Sequence, residues 1–360
     1  MLFSSDNIAA CAPEIMAAMA EANAGAARPY GADPATGRLE ALVTEVFEKP
    51  AKVFLVSTGT SANALALACL CPPWATVYCH QKAHVEEDEC GAPEFYTGGA
   101  KLTLLRGEAA KIAPDALADA LRFTARAGVH NVQKGALSLT QATELGAAYT
   151  PDEVAALAGM AKAAGVPVHM DGTRFANALA RLGCAPADLT WRAGVDALCL
   201  GATKNGAICA EAVILFEGGA AHDRAWEFEL RRKRGGHLWS KMRFMSAQME
   251  AYLTDGLWLR LAGRANAMAD RLAAGLRAIP GVEIAAPMGA NMMFPRFPRR
   301  GHRALQDAGA LYYLWPGDQS LDGPDDEPLQ CRLVCSWATT EAEVDAFVAT
   351  LSGALAAKAA

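Results

Sequence analysis

Short apolar runs alternate with stretches of helical composition through the first two-thirds of the chain, and that alternation narrows the fold more than any other feature. The runs cover residues 53–56, 76–79, 101–105, 136–140, 166–170, 197–200 and 212–216. Most are apolar at nearly every position, not at every second one. Strands of that kind are covered on both faces, which is the situation in a parallel sheet flanked by helices. The helix signals between them agree. Thr150 is placed as an N-cap, Pro151 takes the first helical position, Glu153 completes a capping box, and Gly165 ends the segment. The pattern predicts an α/β fold with a mainly parallel sheet.

After about residue 240 the pattern changes. Residues 240–279 read as one long helical stretch. Strand-like segments at 282–285, 291–294 and 330–337 follow, and Thr340 with Glu343 opens a last helix through another capping box. The chain therefore divides into an N-terminal arm (1–15), a large domain (16–250) and a smaller C-terminal α+β domain (251–360). At 360 residues it is long enough for a large core without disulfide or metal staples.

Composition excludes several classes. Hydrophobic residues make up 52% and charged residues 20%, which is not a disordered chain. With 33 Lys+Arg against 39 Asp+Glu the net charge is −6, against a nucleic-acid or membrane-surface partner. The apolar stretch at 63–78 is interrupted by Pro72-Pro73, so no transmembrane helix is predicted. The first residues lack a basic, then apolar, signal sequence. Ten cysteines without a Cys-x-x-Cys pair read as reduced, with Cys69, Cys199 and Cys209 as small core residues, which favours the cytoplasm. His80 and His84 have the spacing of a helical metal pair but no third ligand, and no metal is assigned. The basic run Arg231-Arg232-Lys233-Arg234 fits a solvated helix face as well as an anion site.

Three local features carry chemistry. Ser57-Thr58-Gly59-Thr60-Ser61 joins a strand to a helix and suits a phosphate at the helix N-terminus, although by itself such a turn reads first as ordinary helix capping. Asp171 ends an apolar strand, where ligands meet an α/β sheet, although a helix cap is an equal reading of that residue alone. Lys204 follows another apolar strand with Gly201 and Gly206 on either side, a place for an amine nucleophile of lowered pKa. A phosphate turn, an acid and a lysine in this order match the needs of pyridoxal 5′-phosphate (PLP). That cofactor takes a lysine Schiff base and an acidic partner for its ring nitrogen.

The chain resembles the low-specificity L-threonine aldolases of the fold-type-I PLP enzymes over almost its whole length. Besides the three features, the likeness rests on Ser4-Ser5-Asp6-Asn7, on Tyr30-Gly31-Ala32-Asp33-Pro34 with Leu39-Glu40, and on His84 with Glu89 and Gly91. It extends through Thr140-Gln141-Ala142-Thr143-Glu144-Leu145-Gly146, Gly235-Gly236, Lys241-Met242-Arg243-Phe244 and Arg332-Leu333-Val334-Cys335-Ser336-Trp337.

The resemblance implies retro-aldol cleavage of L-threonine or L-allo-threonine, and of other β-hydroxy amino acids, to glycine and an aldehyde. By similarity, Lys204 carries PLP, Asp171 holds the pyridine nitrogen, Thr58, Gly59 and Thr60 bind the phosphate, and His84 stacks on the ring. Arg174 and Arg332 are the candidates for the substrate carboxylate, and Arg174 also belongs to the cofactor set. Ser5 touches the amino-acid end of the substrate. Arg243, or Lys241 beside it, reaches the phosphate of a neighbouring subunit in a homotetramer built from dimers. The base for the β-hydroxyl proton is His84, a water held by His84, or Glu89. Thr173 departs from the alanine of many members, and Thr143-Glu144 stands where another branch carries a second histidine. A β-eliminating lyase or aminotransferase is the nearest rival reading, and a PLP-binding protein without catalysis is the other.

Overall fold

The computed structural model describes residues 1–126, 128–284 and 288–356. Seven strands form the main sheet: β1 (Ala51–Val56), β2 (Ala75–His80), β3 (Lys101–Leu105), β4 (Gln133–Thr140), β5 (Val168–Gly172), β6 (Ala197–Gly201) and β7 (Glu211–Phe216). Their order across the sheet is β1-β7-β6-β5-β4-β2-β3. The pairs from β6 to β3 are parallel, while β7 runs antiparallel to both β6 and β1.

The unbroken apolarity of the strands has a direct cause. Leu198, Leu200, Ala212 and Ile214 pack on one face, while Ala197, Cys199, Val213 and Leu215 pack on the other. Successive side chains of a strand point to opposite faces, so a sheet covered on both sides needs apolar residues at every position. Helices Pro34–Phe47 and Pro151–Ala163 cover the first face, and Gly59–Leu70 the second. The Thr150 capping box is present in both directions, and Gly165 adopts φ +73° after that helix.

A second, antiparallel sheet consists of β8 (Glu283–Ile284), β9 (Met292–Met293), β10 (Pro295–Pro298), β11 (Tyr313–Leu314) and β12 (Pro328–Val334). The expected strand at 282–285 ends in Ala285, which lies outside the described residues. Phe297, Leu333, Phe347 and Leu351 form this layer's core together with Phe3 from the chain start. Phe3 meets Phe347 edge-on, with ring centroids 5.2 Å apart.

The stretch 240–279 is not one helix. It forms Arg243–Leu253 and Leu257–Arg277, separated at Thr254–Gly256. Asp255 and Gly256 take φ values of +50° and +67°, left-handed conformations that end the helical hydrogen-bond ladder. The second helix serves both cores: Leu257, Trp258 and Leu261 pack with the main sheet, and Leu272 and Leu276 with the small one.

Candidate active site

The ends of β1, β5 and β6 and the start of β7 lie at one edge of the main sheet, as the pairings Val56 with Glu211 and Gly201 with Glu211 require. A cavity of about 270 Å³ opens there, lined by Asn7, Ser57, Thr58, Gly59, Thr60, His84, Thr173, Thr203, Lys204 and Glu211. The phosphate turn becomes a helix start. The Thr58 hydroxyl accepts the Ser61 N–H at 3.1 Å, and Gly59–Leu70 follows. The first amides of a helix have no acceptor within it, so the Gly59 and Thr60 N–H groups are available to an anion.

Lys204 sits in the turn Thr203–Asn205 directly after β6. A Cβ at Gly201 would come within 2.6 Å of the Thr173 carbonyl oxygen, so the strand must end in glycine where its neighbour passes. Asn205 fixes the turn by donating to the Tyr252 hydroxyl and to the Trp258 carbonyl, both at 2.9 Å. Burial lowers the Lys204 pKa, and the Arg174 charge lowers it further, against Asp6, Asp171 and Glu211. An amine that loses its proton more readily is a better nucleophile.

Asp171 is 2% exposed and well supplied with donors. It accepts from the Thr173 N–H at 3.1 Å, the Thr173 hydroxyl at 2.8 Å and Asn63 Nδ2 at 3.0 Å. Burial alone would raise its pKa, but the field of His84, the two Thr173 bonds and His169 together bring it below the usual carboxylate value. The departure at Thr173 thus adds a hydroxyl to the acid.

Asn63 Nδ2 also donates to Glu89 Oε1 at 2.8 Å, and Glu89 Oε1 lies 2.9 Å from His84 Nδ1. Glu89 raises the His84 pKa, while burial raises that of Glu89 itself. His84 begins its own short helix, His84–Glu87, whereas His80 ends β2 with its ring held by the Lys82 N–H and the Gly107 carbonyl. The two histidines are therefore not a pair on one helix. Among the described residues no group of three or more His, Cys, Asp or Glu side chains could hold a metal ion.

Arg174 places Nε and Nη2 on Asp6 at 2.8 and 3.0 Å, a bidentate pair in which Asp6 is 2% exposed. Arg332, on β12, donates Nη2 to the Ser4 carbonyl at 3.2 Å and lies 5.3 Å from the Trp315 ring. Its Nε is buried without a partner, and among the described residues it forms no ion pair. Burial and the Arg174 charge lower its pKa. Ser5 caps the turn Asp6–Ile8 by accepting the Asn7 N–H. Arg243 is elsewhere: it does not line the cavity, and its Nη1 donates to the Gly25 carbonyl at 3.0 Å. In the basic run, Arg231 pairs with Glu227, and the buried Arg232 pairs with Glu229 and donates to the Leu55 carbonyl.

Four residues take part to which the sequence reading gave no role. Asn63 is a lone amide among the apolar residues 62–70, and Glu211 a lone acid at the start of an apolar strand; an isolated polar residue at such a place was the available signal. Glu144, half-buried, accepts the His84 N–H at 2.8 Å, and burial pushes its pKa up to about 7. The pairing of Asp6 with Arg174 spans 168 positions and had no local signal.

Residues 3–296 match the model of the beta-eliminating lyase family. The chain belongs to that family. It is 42% identical over 356 residues to a low specificity L-threonine aldolase of a Pseudomonas species, covering 99% of this chain and 98% of the relative. It is 43% identical over 338 residues to a low specificity L-threonine aldolase of Pseudomonas aeruginosa, covering 94% and 93%. Among solved structures, a threonine aldolase of Leishmania major superposes with a TM-score of 0.88 at 29% identity, covering 98% of each chain. The serine palmitoyltransferase of Sphingomonas wittichii shares the fold alone, with a TM-score of 0.70 at 13% identity over 99% and 87% of the two chains.

Proposed function

We propose that this chain is an aldehyde-lyase that cleaves the Cα–Cβ bond of L-threonine, L-allo-threonine and related β-hydroxy amino acids, with PLP, to glycine and an aldehyde. The observation that carries the reading is the joining, at one sheet edge, of a free helix N-terminus, Lys204 and a buried acid network. Near full-length likeness to low specificity L-threonine aldolases supports the substrate class.

The residues fit PLP. The amides of Gly59 and Thr60 with the hydroxyl of Thr58 suit its phosphate, Asp171 suits its protonated ring nitrogen, and Lys204 supplies the attaching amine. When bound, PLP supplies an electron sink for the charge left on Cα. Asp171 keeps the ring nitrogen protonated, and Asn63 and Thr173 hold Asp171 in place. Arg332 grips the substrate carboxylate through its guanidinium, with Arg174 fixed beside it by Asp6. His84 takes the β-hydroxyl proton on Nε2, because Nδ1 is turned toward Glu89. Ser5, on the arm 1–15, reaches the amino-acid end of the substrate.

The assembly is proposed as a homotetramer, dimers of chains whose division is 16–250 and 251–360. Arg243 would then serve a neighbour's phosphate, in line with its distance from this chain's cavity. Large apolar side chains such as Phe95 and Trp226 are exposed at 78% and 71% and suit contacts between copies. The cytoplasm is the proposed compartment. All ten cysteines are free, and among the described residues no helix is long and apolar enough to cross a membrane.

A product assay tests the reading. Threonine should give acetaldehyde and glycine. Pyruvate with ammonia, or a keto acid formed only with an amino acceptor, would replace the aldolase by another PLP reaction.

A further inference from the structure

Glu211 is an acid on the cavity wall with no part in the chemistry above. It opens β7, opposite Val56 on one side and Gly201 on the other. Val56 runs straight into the turn at 57–60, and Gly201 into Lys204. The Glu211 carboxyl therefore lies between the anion-binding end of the cavity and the lysine. It is 5% exposed, hydrogen-bonded by Thr203, and within electrostatic reach of Lys204. The other acids that act on Lys204 are committed elsewhere: Asp6 to Arg174, and Asp171 to Thr173 and Asn63. Among the described residues Glu211 forms no ion pair.

We propose that Glu211 is a positioning residue for Lys204: its carboxylate, on the same cavity wall, acts through its charge to favour the protonated form of the lysine nitrogen. This rests on Lys204 being the point where PLP is attached.

The surroundings bear on the charge of Glu211 itself. Burial pushes Glu211 up to about 7 and Asp171 pushes the same way, against Thr203 and Lys204. Lys204 favours the carboxylate as the carboxylate favours a protonated lysine nitrogen, so the two charges support each other. The other titratable groups facing it are Cys199 on β6 and Tyr252 on the helix Arg243–Leu253. Burial raises both above their ordinary pKa values, so both stay neutral there.

The test is the pH titration of the holoenzyme's visible absorbance. In Glu211→Gln the negative charge that favours a protonated nitrogen is gone, so the midpoint should fall by about one pH unit. An unmoved midpoint in a folded, PLP-loaded variant overturns the proposal. Should that variant fail to fold, Glu211→Asp withdraws the carboxyl by one methylene and should shift the midpoint in the same direction by less. No shift there is equally fatal. Borohydride reduction with peptide mapping separates the two claims. An adduct on another lysine overturns both, whereas an adduct on Lys204 with an unmoved midpoint overturns only the role of Glu211.

Discussion

Lys204 and Arg332 both lie within electrostatic reach of the Arg174–Asp6 pair, yet the chain secures them in opposite ways. Lys204 stands at the end of a central strand, in a turn pinned by Asn205, Tyr252 and Trp258. Arg332 belongs to the small antiparallel sheet. Its side-chain hydrogen bond runs to the Ser4 carbonyl, 328 positions away. One group is held by a sheet edge that many strands define together, the other by contact with the chain's own beginning. The contrast teaches where function should be brittle. Changes around Lys204 should abolish chemistry, and changes around Arg332 should loosen substrate binding while leaving the cofactor in place.

The largest effect should come from Lys204→Ala. Steady-state assays should show turnover lower by several orders of magnitude, because a whole covalent step is removed. PLP should still bind non-covalently through the helix N-terminus and Asp171. A variant with wild-type turnover would erase the contrast at its strong end.

Next is His84→Phe. The aromatic face remains, so PLP absorbance should persist, while kcat should fall by about 10²–10⁴ with loss of the proton-transfer group. The companion change Glu89→Gln sharpens the point through pH. Glu89 raises the His84 pKa, so a base at His84 becomes active only above that raised value. Removing the carboxylate should move the acid limb of kcat/KM to lower pH. A limb that stays in place would take His84 out of the proton transfer.

A smaller effect is expected for Arg332→Lys. Losing a two-pronged grip on a carboxylate should raise KM by about 10- to 100-fold, since a charge-assisted hydrogen bond contributes about 1.5–3 kcal/mol. Cofactor binding should be untouched, and unchanged kinetic constants would end the assignment. The smallest shift belongs to Asp6→Asn. Arg174 keeps a hydrogen-bond partner but loses the opposing negative charge, so KM should rise by a few-fold, about 1 kcal/mol or less. A KM increase as large as that of Arg332→Lys would mean that the arm, not β12, dominates substrate binding.

The sequence made the sheet edge legible because its logic is local. Continuous apolar runs mark strands covered on both faces, and the strands β5 and β6 end at the edge where Asp171 and Lys204 stand. Thr150 and Glu153 announced a helix start by side chains three positions apart, and the structure contains both bonds. What stayed hidden depends on distance. Asp6 neutralises Arg174, and Asn291 from the small layer donates to the same carboxylate at 3.2 Å. No periodicity encodes such a meeting. The break at Asp255 was missed for another reason: one left-handed aspartate beside Gly256 is a weak signal inside 40 residues of good helix formers.

The N-terminal residues lead to a last consequence, one of order in time. The Phe3 N–H donates to the Leu311 carbonyl, the Val334 N–H donates to the Phe3 carbonyl, and Leu2 bridges to Leu311. Residues 2–4 are therefore made some 330 positions before the partners that hold them. At synthesis rates of about 5–20 residues per second, some 330 residues take about 15–65 seconds. Through that interval Phe3 lacks its partner Phe347, and Ser4 lacks Arg332. The main sheet, complete in sequence by Phe216, can assemble while the arm waits. A nascent chain would thus have Lys204 and Asp171 at their sheet edge well before Arg332 meets Ser4.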